Sequence, residues 1–215
     1  LTGGGPPFSS GAAQRSPARP PHAAGLPRPA YALRSLEVLE DVVATLRRLH
    51  QPVIAAVNGA AVGGGLCLAL ACDLRIASPD AYFRAAGINN GLTANELGLS
   101  YLLPRAVGSS HAADLRFTGR DVDAAEPPRI GLVSRVADPV LDEAIAIGEQ
   151  ITAYSQPGIE ITKRSLHAGI AAGSLEGYMP MEGIGQLYLR LLTDNFEEAV
   201  QARAEGRAPV FRDDR

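Results

Sequence analysis

The chain has 215 residues, which is the length of one ordinary domain or of one domain with a small appendage. It is 46% hydrophobic and 20% charged, so it can bury a core, and its formal net charge of −3 argues against a general nucleic-acid-binding protein. It has no apolar run long enough to span a membrane, and its two isolated cysteines suit a reducing compartment, so we expect a cytoplasmic protein.

The first part of the chain alternates between loop, helix and strand patterns. Residues 9–30 are rich in Pro, Ala, Ser and Arg, which predicts a solvated loop or, alternatively, a basic flap over an anionic ligand. Apolar residues at helical spacing predict a helix over 31–49. The next predicted elements, in order, are a strand at 53–57, a helix at 64–71, strands at 74–77 and 82–85, a helix at 96–107 and a strand at 132–136. Such alternation predicts a parallel sheet with flanking helices.

The last part of the chain has helical patterns only. Helices are predicted at 139–154, 157–170 and 174–192, and a fourth begins at Asp194 with Glu197 as its capping-box partner. The sequence therefore predicts a core over residues 1–137 and a C-terminal helical region over residues 138–215. Because the chain has no initiator Met and opens on a strand-like end, we expect that N-terminal strands of the core are missing.

Three consecutive glycines, Gly63 to Gly65, need a physical reason, because each loses much backbone entropy on folding. They do not form a phosphate loop, since Leu66-Cys67-Leu68 follows them, and the G-x-G-x-x-G dinucleotide fingerprint is absent. They could pack a helix tightly against a strand, or they could expose backbone N–H groups to an oxyanion. The small residues of Phe8-Ser-Ser-Gly-Ala12 could supply a second N–H from a separate loop, which favours an oxyanion hole.

A set of longer motifs extends this pattern along nearly the whole chain: Phe8-Ser-Ser-Gly-Ala-Ala13, Pro52-Val-Ile-Ala-Ala-Val-Asn-Gly-Ala-Ala-Val-Gly-Gly-Gly65, Ala71-Cys-Asp-Leu-Arg-Ile-Ala77, Ala81-Tyr-Phe83, Leu102-Leu-Pro-Arg-Ala-Val-Gly108, Thr118-Gly-Arg-Asp-Val122 and Ile130-Gly-Leu-Val-Ser-Arg-Val136. Together they resemble the crotonase superfamily, the enoyl-CoA hydratase/isomerase family of acyl-CoA enzymes. The resemblance implies an α/β, ClpP/crotonase-like fold, with a twisted-sheet core of ββα repeats and a C-terminal helical trimerisation region. It also implies an acyl-CoA substrate, no cofactor beyond the coenzyme A thioester itself, and a homotrimer or a dimer of trimers.

The resemblance also assigns candidate catalytic residues. In the family, two backbone N–H groups bind the thioester carbonyl oxygen, and they map to Ala12 and Gly64. Hydratases add two glutamates, but their positions hold Cys67, which we expect to be an inert core thiol, and Gly87. Some members place a catalytic carboxylate on the loop that holds Glu96 here. Glu96 is therefore a candidate for proton transfer, or alternatively a first-turn residue that complements a helix dipole.

The implied function is that of an enoyl-CoA hydratase, a lyase of fatty acid metabolism. Because both hydratase glutamates are missing, the alternatives are an isomerase or hydrolase that uses Glu96, and a non-catalytic acyl-CoA-binding protein. The further candidates for substrate binding are Ser10, Gly63, Gly65, Cys67, Gly87 and Asn95. Lys163 could help to cover the acyl-CoA, although solvent exposure is the stronger expectation. The four histidines show no metal-ligand spacing, so no metal site is predicted.

Overall fold

The computed structural model describes residues 1–11, 23–123 and 125–212, which form two compact units. The strands are β1 (Ile54–Val57), β2 (Ala61–Val62), β3 (Leu74–Ala77), β4 (Phe83–Arg84) and β5 (Arg135–Val136). The α-helices are α1 (Arg28–Arg48), α2 (Gly64–Ala71), α3 (Leu99–Thr118), α4 (Val140–Thr152), α5 (Gln156–Ala171), α6 (Leu175–Leu192) and α7 (Asn195–Glu205). The first unit comprises Leu1–Leu49 and Val53–Ala144, and the second comprises His50–Pro52 and the chain from Ile145 onward.

Two small parallel sheets organise the first unit. β1 pairs with β3 along its full length, with Ile54 opposite Leu74, and β3 pairs in turn with β5. β2 pairs with β4, with Ala61 opposite Phe83. The segments β1-β2-α2 and β3-β4-α3 are therefore two copies of one ββα unit, in which equivalent strands lie side by side. This arrangement confirms the predicted parallel sheet with ββα repeats.

The core of the first unit is built around β1 and α2. Ala55, Ala56 and Val57 of β1 are almost completely buried, as expected for a parallel strand that is covered on both faces. α2 consists only of apolar residues and glycines, and it contacts α1, α3 and β2. A helix that is apolar on all sides is stable only when neighbours surround it. Small side chains let those neighbours approach closely, so the start of α2 is held in place.

The N-terminal residues run beside the first two strands. Isolated parallel bridges join Thr2 to Ala56 and Ser9 to Ala61. The amide of Val62 donates to the carbonyl oxygen of Ser9 at 3.0 Å. The segment therefore reaches the end of β2 at the point where the chain turns into α2. Half of the predicted loop or flap over 9–30, residues 12–22, lies outside the described residues, and α1 already begins within the predicted segment at Arg28.

α3 differs most from its predicted bounds of 96–107. It begins only at Leu99, because Leu97 and Gly98 have left-handed φ angles of 43° and 79°. It also continues to Thr118, across a break at Gly108 where φ is 77°. The predicted start at Glu96 was wrong because the apolar spacing gives no sign of a left-handed turn. Glu96 consequently lies in a turn before the helix and not in its first turn.

The predicted strand over 132–136 is also shorter in the structure. Only Arg135 and Val136 pair with β3, as β5. Leu132 and Val133 are buried without forming a strand. The apolar run therefore indicated buried residues correctly, but residues are buried in loops as well as in strands.

The second unit is helical, as predicted, and local side chains cap two of its helices. Ser155 and Ser174 each accept a hydrogen bond from the amide three residues on, at the starts of α5 and α6. The predicted capping box at α7 was wrong. Asp194 makes no side-chain cap hydrogen bond, and Glu197 pairs with Arg190 instead.

Lys163 is buried and not solvent-exposed, so the stronger expectation for this residue was wrong. Its side chain lies within the second unit, where Nζ donates to the carbonyl oxygen of Gln51 at 2.8 Å. Burying an ammonium group is costly unless it is hydrogen-bonded, so this contact ties α5 to the segment at residues 50–52.

α6 carries many large apolar side chains that are exposed to solvent. They are Leu175, Met179, Met181, Ile184, Leu187, Tyr188, Leu191 and Leu192. Within the described ranges, no helix combines the length and the apolar character needed to cross a membrane.

Candidate active site

The glycine triplet forms the junction between β2 and α2. Gly63 has φ 56° and ψ −121°, a left-handed conformation that favours glycine, and α2 begins at Gly64. The amide of Gly63 donates to the carbonyl oxygen of Arg84 in β4 at 3.0 Å, which anchors the junction to the second sheet. The first N–H groups of a helix have no partner within the helix, so the N–H of Gly64 is one of the donors that α2 itself leaves unpaired.

Each glycine of the triplet faces a different neighbour. A methyl group placed on Gly65 would lie 2.1 Å from the carbonyl oxygen of Ser9, so no side chain fits there. A methyl group on Gly64 would lie 3.5 Å from Cδ1 of Leu97, which is an ordinary contact. Gly65 is therefore required for close packing, Gly63 for its backbone conformation, and Gly64 marks the helix start itself.

The loop after Phe8 approaches the same junction. Gly11 has φ 84°, and a methyl group placed on it would lie 2.9 Å from the carbonyl oxygen of Val62 and 3.2 Å from the amide nitrogen of Gly64. Two separate loops therefore meet at the start of α2. The loop after Phe8 is described only as far as residue 11. Ala12, the predicted second donor, lies outside the described residues. Ser10 is exposed beside Gly11.

Glu96 extends toward the glycine junction from the other side. A methyl group placed on Gly63 would lie 3.7 Å from Oε1 of Glu96 and 3.8 Å from Cβ of Ala86. This Oε1 is shielded from solvent and has no hydrogen-bond partner within the ranges that the structure describes. Burial raises the pKa of the Glu96 carboxyl above its ordinary value, because the charged form loses hydration. The structure thus places a proton-binding group next to the backbone of Gly63.

Cys67 lies beneath Glu96 on α2 and is buried. Its Sγ donates to the carbonyl oxygen of Glu96 at 3.6 Å. Burial, and secondarily the nearby charge of Glu96, raises the pKa of the Cys67 thiol to about 12. The thiol therefore stays protonated near neutral pH, as expected of an inert core residue.

Gly87, at the position of the second hydratase glutamate, is closed to any side chain. A methyl group placed on it would lie 2.0 Å from the carbonyl oxygen of Thr93 and 3.2 Å from Cα of Ala94. The backbone of the turn that carries Glu96 therefore fills the space into which a side chain at residue 87 would project. A side chain at residue 87 and the observed backbone leading to Glu96 therefore exclude each other.

Asn95 lies next to Glu96, but its side chain is used by the protein. Its Oδ1 accepts hydrogen bonds from Nη2 of Arg116 and from Oγ of Ser100, the latter at 3.3 Å. Arg116 also donates from Nε to the carbonyl oxygen of Ala94 at 3.1 Å. Sequence reasoning missed Arg116, because nothing in its local pattern distinguishes it from the other arginines.

The structure thus brings together Gly63, Gly64, Cys67 and Glu96, with Gly11 at their edge. Gly65 and Gly87 border this group, but a side chain at either position would meet protein backbone. Their predicted roles in substrate binding, and those of Ser10 and Asn95, stay predictions. The arrangement offers one backbone donor at the start of α2 and one carboxyl group beside Gly63, which suits proton transfer next to a polarised carbonyl group.

Comparison with known proteins decides the family. The sequence profile of the enoyl-CoA hydratase/isomerase family matches residues 1–214. The chain belongs to the enoyl-CoA hydratase/isomerase family. A probable enoyl-CoA hydratase of Mycobacterium bovis is 65% identical over 216 residues, which cover 100% of this chain and 76% of that relative.

Solved structures of the enoyl-CoA hydratase/isomerase family support the same conclusion. A probable enoyl-CoA hydratase/isomerase from Mycobacterium abscessus superposes with a TM-score of 0.92 at 64% identity, over 100% of this chain and 80% of that one. A monofunctional enoyl CoA isomerase from M. smegmatis superposes with a TM-score of 0.67 at 56% identity, over 83% of this chain and 74% of that one. The predicted crotonase superfamily, its α/β fold and an enzyme of this family are thereby confirmed.

Proposed function

We propose that this family member binds an enoyl-CoA thioester with the carbonyl oxygen between the backbone N–H groups of Gly64 and Ala12. The support is the position of Gly64 at the start of α2, together with the approach of Gly11, on which an added methyl group would lie 3.2 Å from the amide nitrogen of Gly64. The positive end of the α2 dipole strengthens such a donor. Removing one donor of this kind typically slows a reaction by about two to three decades.

Glu96 is the proton-transferring group in this proposal, and its buried, unpartnered Oε1 beside Gly63 is the observation that carries it. The reaction that this geometry supports best is migration of a double bond. The Glu96 carboxylate removes a proton from C2 of a 3-enoyl thioester, and the electrons move onto the thioester oxygen to give a dienolate. The protonated carboxyl then returns the proton to C4, which leaves the conjugated 2-enoyl thioester.

Several features favour this reaction. The reaction needs a single carboxyl group and no water. The raised pKa of the Glu96 carboxyl suits a group that must both take and return a proton. The thioester oxygen carries negative charge only in the intermediate, where the backbone donors are most effective. The M. smegmatis neighbour is described as a monofunctional enoyl CoA isomerase, which agrees with this choice.

Hydration is the second candidate, because the M. bovis relative is named a probable enoyl-CoA hydratase. Adding water across the double bond requires a group that activates the water and a group that protonates C2. Cys67 cannot act as a base near neutral pH, and Gly87 leaves no space for a carboxylate. Both tasks would then rest on Glu96.

Two thioester substrates separate these reactions through changes of opposite sign. With 3-hexenoyl-CoA, we expect the absorbance of a conjugated thioester to increase. With crotonyl-CoA, hydration would make that absorbance decrease, and we expect at most a slow decrease. A fast loss from crotonyl-CoA with no gain from 3-hexenoyl-CoA would replace isomerisation with hydration. Release of free coenzyme A would indicate a hydrolase, and tight binding without turnover would indicate a binding protein.

The Glu96→Gln variant tests the role of the carboxyl group directly. Losing general acid–base catalysis should lower kcat for 3-hexenoyl-CoA by about 10²- to 10⁴-fold, while binding of the thioester is retained. Glu149→Gln, which alters an exposed glutamate on α4, is the matched control. Equal turnover by the Glu96 and Glu149 variants would remove Glu96 from the reaction.

The remaining proposals concern assembly and setting. We propose that residues 1–137 form the catalytic core, and that the helical region over residues 138–215 mediates a homotrimer or a dimer of trimers. The exposed apolar side chains of α6 support an interface on that helix. The protein works in the cytoplasm, in lipid metabolism, with the coenzyme A thioester as substrate and no separate cofactor.

A further inference from the structure

The turn that carries Glu96 has a backbone conformation that its own sequence does not favour. Leu97 has φ 43°, and it is the one non-glycine residue with positive φ among those that the structure describes. Gly98 follows with φ 79°. A branched apolar residue rarely adopts this conformation, and it persists only where surrounding contacts hold it. The question is which contacts hold the turn.

A single guanidinium group, that of Arg116 on α3, joins the two ends of this turn. Its Nε donates to the carbonyl oxygen of Ala94 at 3.1 Å, and its Nη2 donates to Oδ1 of Asn95 and to Oγ of Ser100, the latter at 2.9 Å. Ser100 Oγ in turn donates to Asn95 Oδ1 at 3.3 Å. These acceptors lie immediately before and shortly after Glu96 in the chain, so Arg116 fixes the turn from both sides.

Other contacts fix the inner face of the turn. Cδ1 of Leu97 lies over Gly64, within an ordinary contact distance of a methyl group placed there. The carbonyl oxygen of Glu96 accepts from the amide of Leu99 at 2.7 Å and from the Cys67 thiol at 3.6 Å. On the inner side of the turn, core residues thus hold the backbone of Glu96. On the outer side, Arg116 holds the residues next to Glu96.

We propose that Arg116 is a positioning residue, which keeps the turn at residues 94–100 in the conformation that directs the Glu96 carboxyl group to the glycine junction. This inference rests on the proposed role of Glu96 in proton transfer. Arg116 acts through the backbone of Ala94 and the side chains of Asn95 and Ser100. It also gives Asn95 a role distinct from substrate binding, as the acceptor that receives the guanidinium.

Arginine suits this task better than lysine. Its planar group offers donors at fixed, diverging directions, so one side chain can bond the carbonyl of Ala94 and the two oxygens of Asn95 and Ser100 together. An ammonium group is a compact point charge and cannot hold the same fan of acceptors. Lysine at this position should therefore restore the charge but only part of the positioning.

The test compares Arg116→Met and Arg116→Lys with Arg105→Met, a control on the same helix. Within the described part of the chain, the Arg105 side chain donates to the carbonyl oxygen of Tyr101 and stacks on that ring. Because misplacing a reacting group by about 1 Å can cost about 10²-fold in rate, we expect Arg116→Met to lower kcat for 3-hexenoyl-CoA by about 10- to 100-fold, with KM unchanged. Arg116→Lys should recover part of the loss, and Arg105→Met should match the parent protein.

A double-mutant cycle with Glu96→Gln distinguishes positioning from a general structural role. If Arg116 acts through Glu96, adding Arg116→Met to Glu96→Gln should lower the residual rate no further. A further decrease in the residual rate, or an increase in KM in place of a decrease in kcat, would overturn the inference while leaving the proposed function intact. Unchanged turnover by Glu96→Gln alone would overturn both.

A second variant keeps the test decisive if Arg116→Met does not fold. Asn95→Ala removes one exposed acceptor of the guanidinium and leaves Arg116 in place. We expect it to lower kcat less than Arg116→Met would, and again to have no further effect in the Glu96→Gln background. Full activity of Asn95→Ala together with full activity of Arg116→Lys would overturn the inference.

Discussion

The glycine junction at residues 63–65 and the turn at residues 94–100 meet at the same site, but they are specified in different ways. In the junction, the residues present explain the backbone: Gly63 adopts a left-handed φ, and Gly65 leaves room for the carbonyl oxygen of Ser9. In the turn, Leu97 adopts a left-handed φ despite its side chain. The conformation of the turn must therefore come from contacts with distant residues.

The difference separates two tasks of the candidate site. The backbone donor at Gly64 depends on a strand, a glycine turn and a helix that follow one another in the chain. The acid–base group at Glu96 depends on a turn whose ends are tied to Arg116, some twenty residues further along α3. We therefore expect changes at the junction to affect folding first, and changes around the turn to affect catalysis first.

The largest expected effect on stability is that of Gly65→Ala. A Cβ atom 2.1 Å from the backbone oxygen of Ser9 cannot be accommodated by a change of rotamer, so the loop of residues 8–11 must move. We expect a loss of about 3 kcal/mol, which corresponds to a decrease in Tm of about 10 °C. Gly64→Ala, where the new methyl group would make only ordinary contacts, should change Tm by no more than about 2 °C. Equal Tm values for the two variants, measured by calorimetry, would contradict this account of the junction.

Gly87→Ala should have a smaller effect on stability and a larger effect on activity. The new Cβ atom would lie 2.0 Å from the carbonyl oxygen of Thr93, which is exposed and precedes the turn at residues 94–100, so relieving the clash should displace that turn against its hydrogen bonds to Arg116. We expect a loss of about 1–2 kcal/mol in the free energy of unfolding. Because the shifted turn carries Glu96, kcat for 3-hexenoyl-CoA should fall at least 10-fold, on the scale of a misplaced catalytic group.

Gly148→Ala is the matched control for this variant. Gly148 lies inside α4, and a methyl group there would meet no described atom within 4 Å. Alanine favours a helix over glycine by up to about 1 kcal/mol, so the control should be slightly more stable and fully active. If Gly87→Ala kept full activity with the same loss of stability, the turn would not control the position of Glu96.

The sequence predicted the junction well and the turn poorly, for reasons that follow from this comparison. α2 has its predicted bounds, 64–71, because glycines followed by a continuous apolar run mark it locally, and β3 also has its predicted bounds, 74–77. Of the two explanations offered for the glycines, tight packing applies to Gly65, whereas exposure of a backbone N–H to an oxyanion stays a prediction for Gly64, the first residue of α2. Sequence reasoning selected Glu96 by family resemblance and not by its own environment.

The parts that could not be predicted all depend on contacts between distant residues. The sequence showed that Gly87 lacks a carboxylate, but it could not show that the backbone of Thr93 fills the space beside it. It likewise gave no reason to single out Arg116 among the arginines. The start of α3 was misplaced because an apolar pattern does not report a left-handed Leu97. Such features appear only when the turn and the helix are placed together.

The smallest expected effect is a pH-dependent change in stability for Glu96→Gln. Burial raises the pKa of the Glu96 carboxyl in the folded protein, so the folded state holds this proton more tightly than the unfolded state. Between the ordinary carboxyl pKa of about 4.3 and the raised value, unfolding releases a proton, and stability therefore falls as pH increases through this window. Glutamine carries no charge and escapes this loss.

The difference in Tm between Glu96→Gln and the parent protein should thus shift in favour of the variant as pH increases, by a few degrees at most, and then stay constant above the raised pKa. A Tm difference that does not vary with pH would mean that the Glu96 carboxyl is hydrated in solution. The environment of the Glu96 carboxyl would then be set by residues adjacent in the sequence, as it is for the glycine junction, and not by the distant contacts that enclose the turn.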